Sequence, residues 1–196
     1  MLAKDLMSTP AITVRPETPC KEAADLLTRH GISSLPVVDE AGALVGIVSE
    51  ADLLPLGATV DPRAQARPVP QAPQPSRVEE VMTRDPSTVD ETLDVSLVAQ
   101  LMLEARLRHV PVLRGNTVTG VLSRRDLVRL LARRDEDIER AVQQALSQEG
   151  LRLANLRVQV REGIVELSGA DRSTLRLGEI LARSQPGVVQ VRSREE

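Results

Sequence analysis

Hydrophobic and polar positions near the N-terminus follow patterns that predict a mixture of helices and strands. Ala23 and Leu27 recur at helical spacing, whereas the segments around Pro36 and Gly46 are short β-rich runs separated by a glycine-containing turn. A second helical stretch follows Ser49. The predicted order is β-α-β-β-α, with an extended piece ending at residues 13–14, a helix over 19–30 and β-rich runs over 35–38 and 44–48.

This pattern occurs twice in the chain. Four blocks of the first copy return in the same order about 75 residues later, which indicates an internal duplication. The second copy therefore has the same predicted elements, including a helix over 93–106. The matched blocks are residues 7–14 and 82–89, 24–27 and 99–102, 35–38 and 110–113, and 46–53 and 120–127.

The pattern changes after the second copy. A helical apolar stripe runs from Ile138 to Leu146, and alternating segments flank a turn at Glu162 and Gly163. A helix over 171–184 and a strand over 188–191 complete an α-β-β-α-β order. The sequence thus predicts an α+β protein with two β-α-β-β-α repeats packed as a pair and a small C-terminal domain. The expected boundaries are 1–56 for repeat 1, 57–76 for a proline-rich linker, 77–134 for repeat 2 and 135–196 for the C-terminal domain.

Composition narrows the classes of partner and compartment. Phe, Tyr and Trp are absent, and 25 Lys and Arg against 28 Asp and Glu give a net charge of −3. Because the chain lacks aromatic stacking platforms and an overall positive charge, we expect no nucleic-acid partner. The N-terminus lacks the apolar core of a signal peptide, and no apolar run is long enough to span a bilayer. The expected location is the cytoplasm.

Groups that could support catalysis or bind a metal are few. Cys20 is the only cysteine, which excludes an intramolecular disulfide and a cysteine-rich metal site. If residues 18–19 are the N-cap and first helical residue, the helix end would lower the Cys20 thiol pKa; an inert small residue is the favoured alternative. His30 and His109 are expected to be surface or pocket-wall residues. Since no known catalytic motif is present, we predict that the protein is not an enzyme and requires no cofactor or metal.

Each copy also contains a Gly-h-h-Ser-x-x-Asp block, where h is apolar. A capping box explains the block without a ligand. In it the serine side chain accepts a hydrogen bond from an amide of the helix, and the aspartate carboxylate accepts one from the serine amide. The same geometry suits a ligand, because a helix N-terminus holds phosphate, serine donates to it and aspartate accepts from ribose hydroxyls. The glycine would let a ligand approach the backbone. The residues are Gly46, Ser49 and Asp52 in the first copy and Gly120, Ser123 and Asp126 in the second.

The duplicated blocks resemble a pair of cystathionine β-synthase (CBS) domains over about residues 1–134. The resemblance implies two repeats packed through their sheets, with clefts that bind adenosyl compounds such as AMP, ADP, ATP or S-adenosylmethionine as regulatory ligands. It implies that each motif serine contacts phosphate and each motif aspartate holds the ribose. The base pockets would be lined by Thr13, Val14, Ile32, Ser34, Leu35, Pro36, Thr88, Val89, His109, Val110 and Pro111.

The two motif copies differ in charge. The first carries Glu50 and Ala51 where the second carries Arg124 and Arg125. If both face ligand, the arginines also contact phosphate, and the second site favours polyphosphate. The alternative is a solvated arginine pair on an exposed turn.

The C-terminal segment resembles a BON domain, through its hairpin over 158–169 and its segment 186–191. BON domains are associated with phospholipid or ligand attachment, but acidic residues outnumber arginines in this segment, so a packing or dimer-contact role is an equal alternative. We predict a non-enzymatic sensor of adenosyl ligands that forms a homodimer through its CBS pair. The alternative is an attachment protein, in which the BON-like domain tethers to lipid or a protein partner and the CBS pair only dimerises.

Overall fold

The computed structural model describes residues 1–57, 75–149 and 156–194; residues 58–74 of the predicted linker lie outside these ranges. The chain divides into two compact units, Leu2–Ser123 and a second unit that begins at Arg124. The helices are α1 (Ala3–Leu6), α2 (Cys20–His30), α3 (Glu50–Gly57), α4 (Val95–Glu104), α5 (Arg124–Leu131), α6 (Asp135–Gln148) and α7 (Arg172–Arg183), with a 3-10 turn at Val78–Glu80. The strands are β1 (Ser34–Val38), β2 (Leu44–Ser49), β3 (Thr83–Arg84), β4 (Val89–Asp90), β5 (His109–Arg114), β6 (Thr117–Ser123), β7 (Arg157–Arg161), β8 (Ile164–Ser168) and β9 (Gln190–Arg194).

The duplication predicted from the sequence is visible in the sheets of the first unit. One sheet has the strand order β1-β2-β3 and the other has β4-β5-β6. In each sheet a long antiparallel hairpin carries one irregularity of register, at Val37/Val38 in the first and at Val112/Leu113 in the second. The two copies therefore share the position of a β-bulge as well as their order of elements.

The two repeats exchange their N-terminal segments. Strand β3 comes from the second repeat but pairs with β2 of the first, while Ser8 of the first repeat pairs with Val121 of β6 in the second. Ala3 and Val78, which are equivalent in the two copies, are fully buried. Each segment then returns to its own repeat, where Val14 pairs with Val37 and Val89 pairs with Val112. As a result, neither repeat contains all of its own sheet.

Helix α2 begins one residue later than the sequence predicted. Pro19 occupies the N-cap position without a side-chain cap, so the prediction of Thr18 as N-cap is wrong. The Thr18 hydroxyl instead accepts a hydrogen bond from the Arg15 amide (3.0 Å), which closes the preceding turn. Burial raises the pKa of the Cys20 thiol, and the negative charge of Glu80 raises it further. The helix end therefore does not lower this pKa, and the structure supports the favoured alternative of an inert, buried Cys20.

The second unit has a three-stranded sheet of order β7-β8-β9, with β7 antiparallel and β9 parallel to the central strand. The β7–β8 turn has positive φ at both Glu162 (52°) and Gly163 (72°), as a type I′ hairpin requires. The carboxylate of Asp135 accepts both of these turn amides, at 2.7 and 2.9 Å. Apolar residues of α6 and α7 pack on one face of the sheet. The elements follow the predicted α-β-β-α-β order, and α5 also belongs to this unit.

Within the described ranges, no helix is both long and apolar enough to cross a bilayer.

Candidate functional site

The first motif lies where β2 ends and α3 begins. The Ser49 amide donates to Oδ2 of Asp52 (2.8 Å), and the Ser49 hydroxyl donates to the same oxygen (2.7 Å). The Asp52 carboxylate thus reaches back to the Ser49 amide, as in the backward half of a capping box. Oδ1 of Asp52 has no further hydrogen bond among the described residues.

This arrangement holds the Asp52 carboxylate in place through one oxygen. Ser49 fixes the orientation of the side chain, which is half-buried at the first turn of α3. An ionised carboxylate only accepts hydrogen bonds, so Oδ1 remains available to a donor such as a hydroxyl group. The geometry is thus compatible with both explanations of the motif, since Oδ2 stabilises the turn and Oδ1 has no donor among the residues that the structure describes.

The second aspartate has a different environment. Asp126 lies in the first turn of α5 and is 7% exposed. Its Oδ1 accepts a hydrogen bond from Nη1 of Arg129 at 3.3 Å. The equivalent position in the first copy is Pro55, which carries no charge. Asp126 therefore has a guanidinium partner, which Asp52 lacks among the described residues.

A hydrogen bond between the repeats lies beside the strand ends that carry the motif serines. Oγ of Ser33 lies 2.7 Å from Nε2 of His109, and the donor depends on the imidazole tautomer. His109 pairs with Ser123 across β5 and β6, just as Ser34 pairs with Ser49 across β1 and β2. His109 is half-buried, and its place in a pocket wall remains a prediction. Sequence reasoning did not identify Ser33, because its partner is 76 residues away.

The motif glycines have a packing role that sequence reasoning did not identify. A Cβ at Gly46 would lie 2.7 Å from Sδ of Met82, and a Cβ at Gly120 would lie 2.8 Å from the carbonyl oxygen of Ser8 and even closer to Met7. Both methionines belong to the exchanged segments, so each glycine makes room for the other repeat. The sequence signal for this packing role was that both glycines stand at the start of matched blocks. Close approach of a ligand to these glycines remains a prediction.

Burial divides the residues predicted to line the base pockets. Leu35 and Val110 are fully buried, and Leu35 packs in the core of the first repeat. Their place in a pocket wall remains a prediction. Thr13 is exposed; Ile32, Thr88 and His109 are half-buried; Val14, Ser34, Pro36, Val89 and Pro111 are also buried.

The charged neighbours of the motifs are exposed. Glu50 in the first copy and Arg124 and Arg125 in the second all lie on the surface. No cluster of His, Cys, Asp and Glu suited to a metal ion occurs in the described part of the chain.

A duplicated β-α-β-β-α unit with a Ser-x-x-Asp sequence in each copy defines a tandem-repeat module. Residues 3–57 and 78–133 match the CBS domain family, which is more than half of the chain. The protein belongs to the CBS domain family and contains a tandem CBS pair. This match ends at residue 133, so the BON-like assignment of the C-terminal segment remains a prediction.

Similar proteins of known sequence share the CBS region. The L-aspartate semialdehyde sulfurtransferase of Methanocaldococcus jannaschii is 35% identical over 130 residues, which is 66% of this chain and 23% of that enzyme. The CBS domain-containing protein YhcV of Bacillus subtilis is 29% identical over 124 residues, which is 63% of this chain and 81% of that protein. The similarity to the sulfurtransferase therefore covers less than a quarter of that enzyme.

Similar solved structures contain adenosyl compounds. The CBS domain pair of protein MJ0100, in complex with 5′-methylthioadenosine and S-adenosyl-L-methionine, is 34% identical with a TM-score of 0.56. The match covers 67% of this chain and 96% of that one. The structure of CBSX2 in complex with AMP is 27% identical with a TM-score of 0.53, covering 65% of this chain and 93% of the other.

Proposed function

We propose that the CBS pair is a regulatory module without chemistry of its own, which binds an adenosyl compound and changes its packing in response. The observation that carries the proposal is the Asp52 carboxylate, held by Ser49 through Oδ2 and without a partner at Oδ1 among the described residues. Two similar CBS pairs, MJ0100 and CBSX2, are described as complexes with such compounds. No required cofactor is part of the proposal.

In this proposal the motif aspartates hold the ribose. The free oxygen of Asp52 accepts from a ribose hydroxyl, and Asp126 has the same role in the second copy. Ser49 and Ser123 lie beside the helix N-termini and contact phosphate where the ligand has one. Ser49 then exchanges its hydrogen bond to Asp52 for one to the ligand, while its amide keeps the carboxylate in place.

The charge difference between the copies supports different preferences for ligand charge. The first motif combines Glu50 with the uncompensated Asp52, whereas the second has Arg124 and Arg125, with Arg129 beside Asp126. We propose that the first site takes an adenosyl compound without phosphate and the second takes a nucleotide. The double variant Arg124→Gln/Arg125→Gln should then weaken ATP binding and leave 5′-methylthioadenosine binding unchanged.

Since the protein has no aromatic residues, the adenine ring would be held by aliphatic and small polar groups. The predicted pocket residues with accessible surface are Thr13, Ile32, Thr88 and His109, and His109 contacts Ser33 of the other repeat. A ligand bound beside this contact favours the arrangement in which the two repeats are joined. Binding would therefore rigidify the pair, which is a means of regulation without a new fold.

Thermal unfolding followed by circular dichroism tests the proposal, because no Trp or Tyr is present to report by fluorescence. AMP, ATP, S-adenosylmethionine and 5′-methylthioadenosine are compared with GMP on the wild type. A ligand at a hundredfold excess over its Kd stabilises the folded state by about 2.7 kcal/mol. We expect the adenosyl compounds to raise the melting temperature and the double variant Asp52→Asn/Asp126→Asn to abolish the increase.

Glu40→Gln is the matched control, since Glu40 is an exposed carboxylate in the β1–β2 turn of the first repeat. This variant should respond to ligand as the wild type does. An equal increase in the double aspartate variant, or no increase with any adenosyl compound, would show that the motifs only cap helices.

We also propose a homodimer formed through the CBS pair. The support is a set of exposed apolar side chains on its helices: Leu54 on α3, with Leu97 and Leu103 on α4, are 69%, 51% and 70% exposed. Exposed leucines mark an interface where they form a continuous apolar patch. Sedimentation equilibrium of the full chain should give twice the mass of 21.3 kDa.

A further inference from the structure

The face of the C-terminal sheet that does not pack against α6 and α7 carries mainly positive side chains, although the sequence of this segment mixes both charges. Side chains alternate along β7, β8 and β9, and one set packs with α6 and α7 in the core. The other set contains four arginines and one acid. On the outer strands these are Arg157 and Arg161 of β7 and Arg192 and Arg194 of β9; on the central strand they are Ile164, Glu166 and Ser168.

We propose that this face binds the phosphate backbones of duplex nucleic acid without reading sequence. The composition of the whole chain predicted no nucleic-acid partner. That prediction used the net charge of the chain, which does not show whether the positive charges lie together on one surface. The proposal is independent of the adenosyl site, because it uses only residues of β7, β8 and β9.

The four arginines are free to bind an anion. None of them has a carboxylate within ion-pair distance among the described residues. The one hydrogen bond that their side chains donate there runs from Nη2 of Arg192 to Oε1 of Gln190 (3.2 Å). Acidic residues of α6 are already engaged: Asp137 pairs with Arg134 and Arg140, and Asp135 binds the hairpin amides. Among the described residues of the three strands, Glu166 is therefore the one carboxylate that opposes the four arginines of this face.

The arrangement of the arginines favours two anionic strands over one. They form two columns about 10 Å apart, which is twice the spacing between neighbouring strands of a sheet. Within β9, Arg192 and Arg194 are about 7 Å apart along the strand. Gln159 and Gln190 lie in the same two columns, and such side chains also donate to phosphate oxygens in protein–DNA contacts. Two columns of donors suit the two backbones that border a groove.

The side chains of this face argue against two other anionic partners, single-stranded nucleic acid and a lipid bilayer. Single-stranded nucleic acid is bound by stacking of bases on aromatic rings, and the chain has none. Binding to a lipid bilayer uses apolar side chains that enter the interface, and the half-buried Ile164 is the only apolar residue on this face.

Fluorescence anisotropy with a labelled, mixed-sequence DNA duplex tests the proposal on the full chain. We expect binding at about 50 mM salt that weakens as salt increases, with a log–log slope of about −3.6 for four phosphate contacts. Arg157→Gln/Arg194→Gln should lower the affinity at least roughly tenfold and reduce the slope by about two. Glu166→Gln removes the one negative charge of the face and should increase the affinity, a gain that misfolding cannot produce.

Arg176→Gln/Arg183→Gln is the matched control, because it removes the same charge from α7, on the other side of the sheet. It should leave the slope unchanged. The proposal is wrong if the wild type does not bind the duplex at low salt, or if the control weakens binding as much as the sheet variant. It is also wrong if vesicles containing phosphatidylserine bind more tightly than the duplex with the same dependence on Arg157 and Arg194.

Discussion

Gly46 shows at the scale of a single residue how the two repeats depend on each other. A Cβ at this position would lie 2.7 Å from Sδ of Met82 and 3.0 Å from the carbonyl oxygen of Thr83, so Gly46→Ala must displace the exchanged segment. We expect a loss of about 1–3 kcal/mol in the free energy of unfolding, the usual cost of overpacking. Urea unfolding followed by circular dichroism measures it.

Met82→Ala provides the control for this prediction. In a protein that already lacks the Met82 side chain, Gly46→Ala should cost less, because the closest contact is gone and only the carbonyl of Thr83 remains tight. Equal costs in both backgrounds would show that Met82 does not restrict this position.

Single residues were predictable where the chemistry is local. Ser49 and Asp52 stand three residues apart, so their contact was foreseen, although the direction of the hydroxyl bond was not. Ser33 was missed because its partner His109 lies in the other repeat.

At the scale of elements, helix caps make stability depend on pH. Asp94 caps α4 and Asp171 caps α7, and hydrogen bonds from Ser96, and from Ser173 and Thr174, hold the pKa of each carboxyl below its usual range. When the pKa of a carboxyl is lower in the folded state than its unfolded value of about 3.9, ionisation adds to the free energy of unfolding. This contribution is fully present above the unfolded pKa and is lost as the pH falls through the folded pKa. The melting temperature should therefore fall below about pH 4.

Asp94→Asn/Asp171→Asn separates this effect from general acid unfolding. Asparagine is a comparable N-cap that does not titrate in this range, so the variant should melt near the wild type at pH 7 and lose less below pH 4. The comparison uses circular dichroism between about pH 2 and 7. Identical acid profiles would contradict the assigned role of the caps.

Periodicity predicted the helices and hairpins well, because both patterns are local. The helix predicted over 93–106 is Val95–Glu104, and the β-rich run over 110–113 lies within His109–Arg114. The exchange of segments was not predictable in this way. Strand β3 has only two residues, Thr83 and Arg84, and its choice of β2 as partner depends on where the whole chain folds.

For the whole molecule, the exchange predicts that one repeat does not fold alone. A fragment of residues 1–57 lacks β3 and the buried Val78, which packs in the core of the first repeat. We expect its circular dichroism to show no cooperative thermal transition, whereas residues 1–134 should unfold cooperatively. A sharp transition in the short fragment would show that the exchanged segments are dispensable.

The positive charge on one face of the C-terminal sheet could not be predicted from composition. A count over residues 135–196 mixes the acids of α6 with Arg157 and Arg194, and only the alternation of side chains on three paired strands separates them. Charge segregation therefore required the register of the sheet, which no local pattern provides.

A crystal structure of the protein with 5′-methylthioadenosine or AMP tests the central claim most directly. The account predicts a ribose hydroxyl within about 3 Å of Oδ1 of Asp52, with the Ser49 amide still on Oδ2. Adenosyl compound bound elsewhere, or crystals grown at saturating ligand in which Asp52 contacts only Ser49, would contradict it.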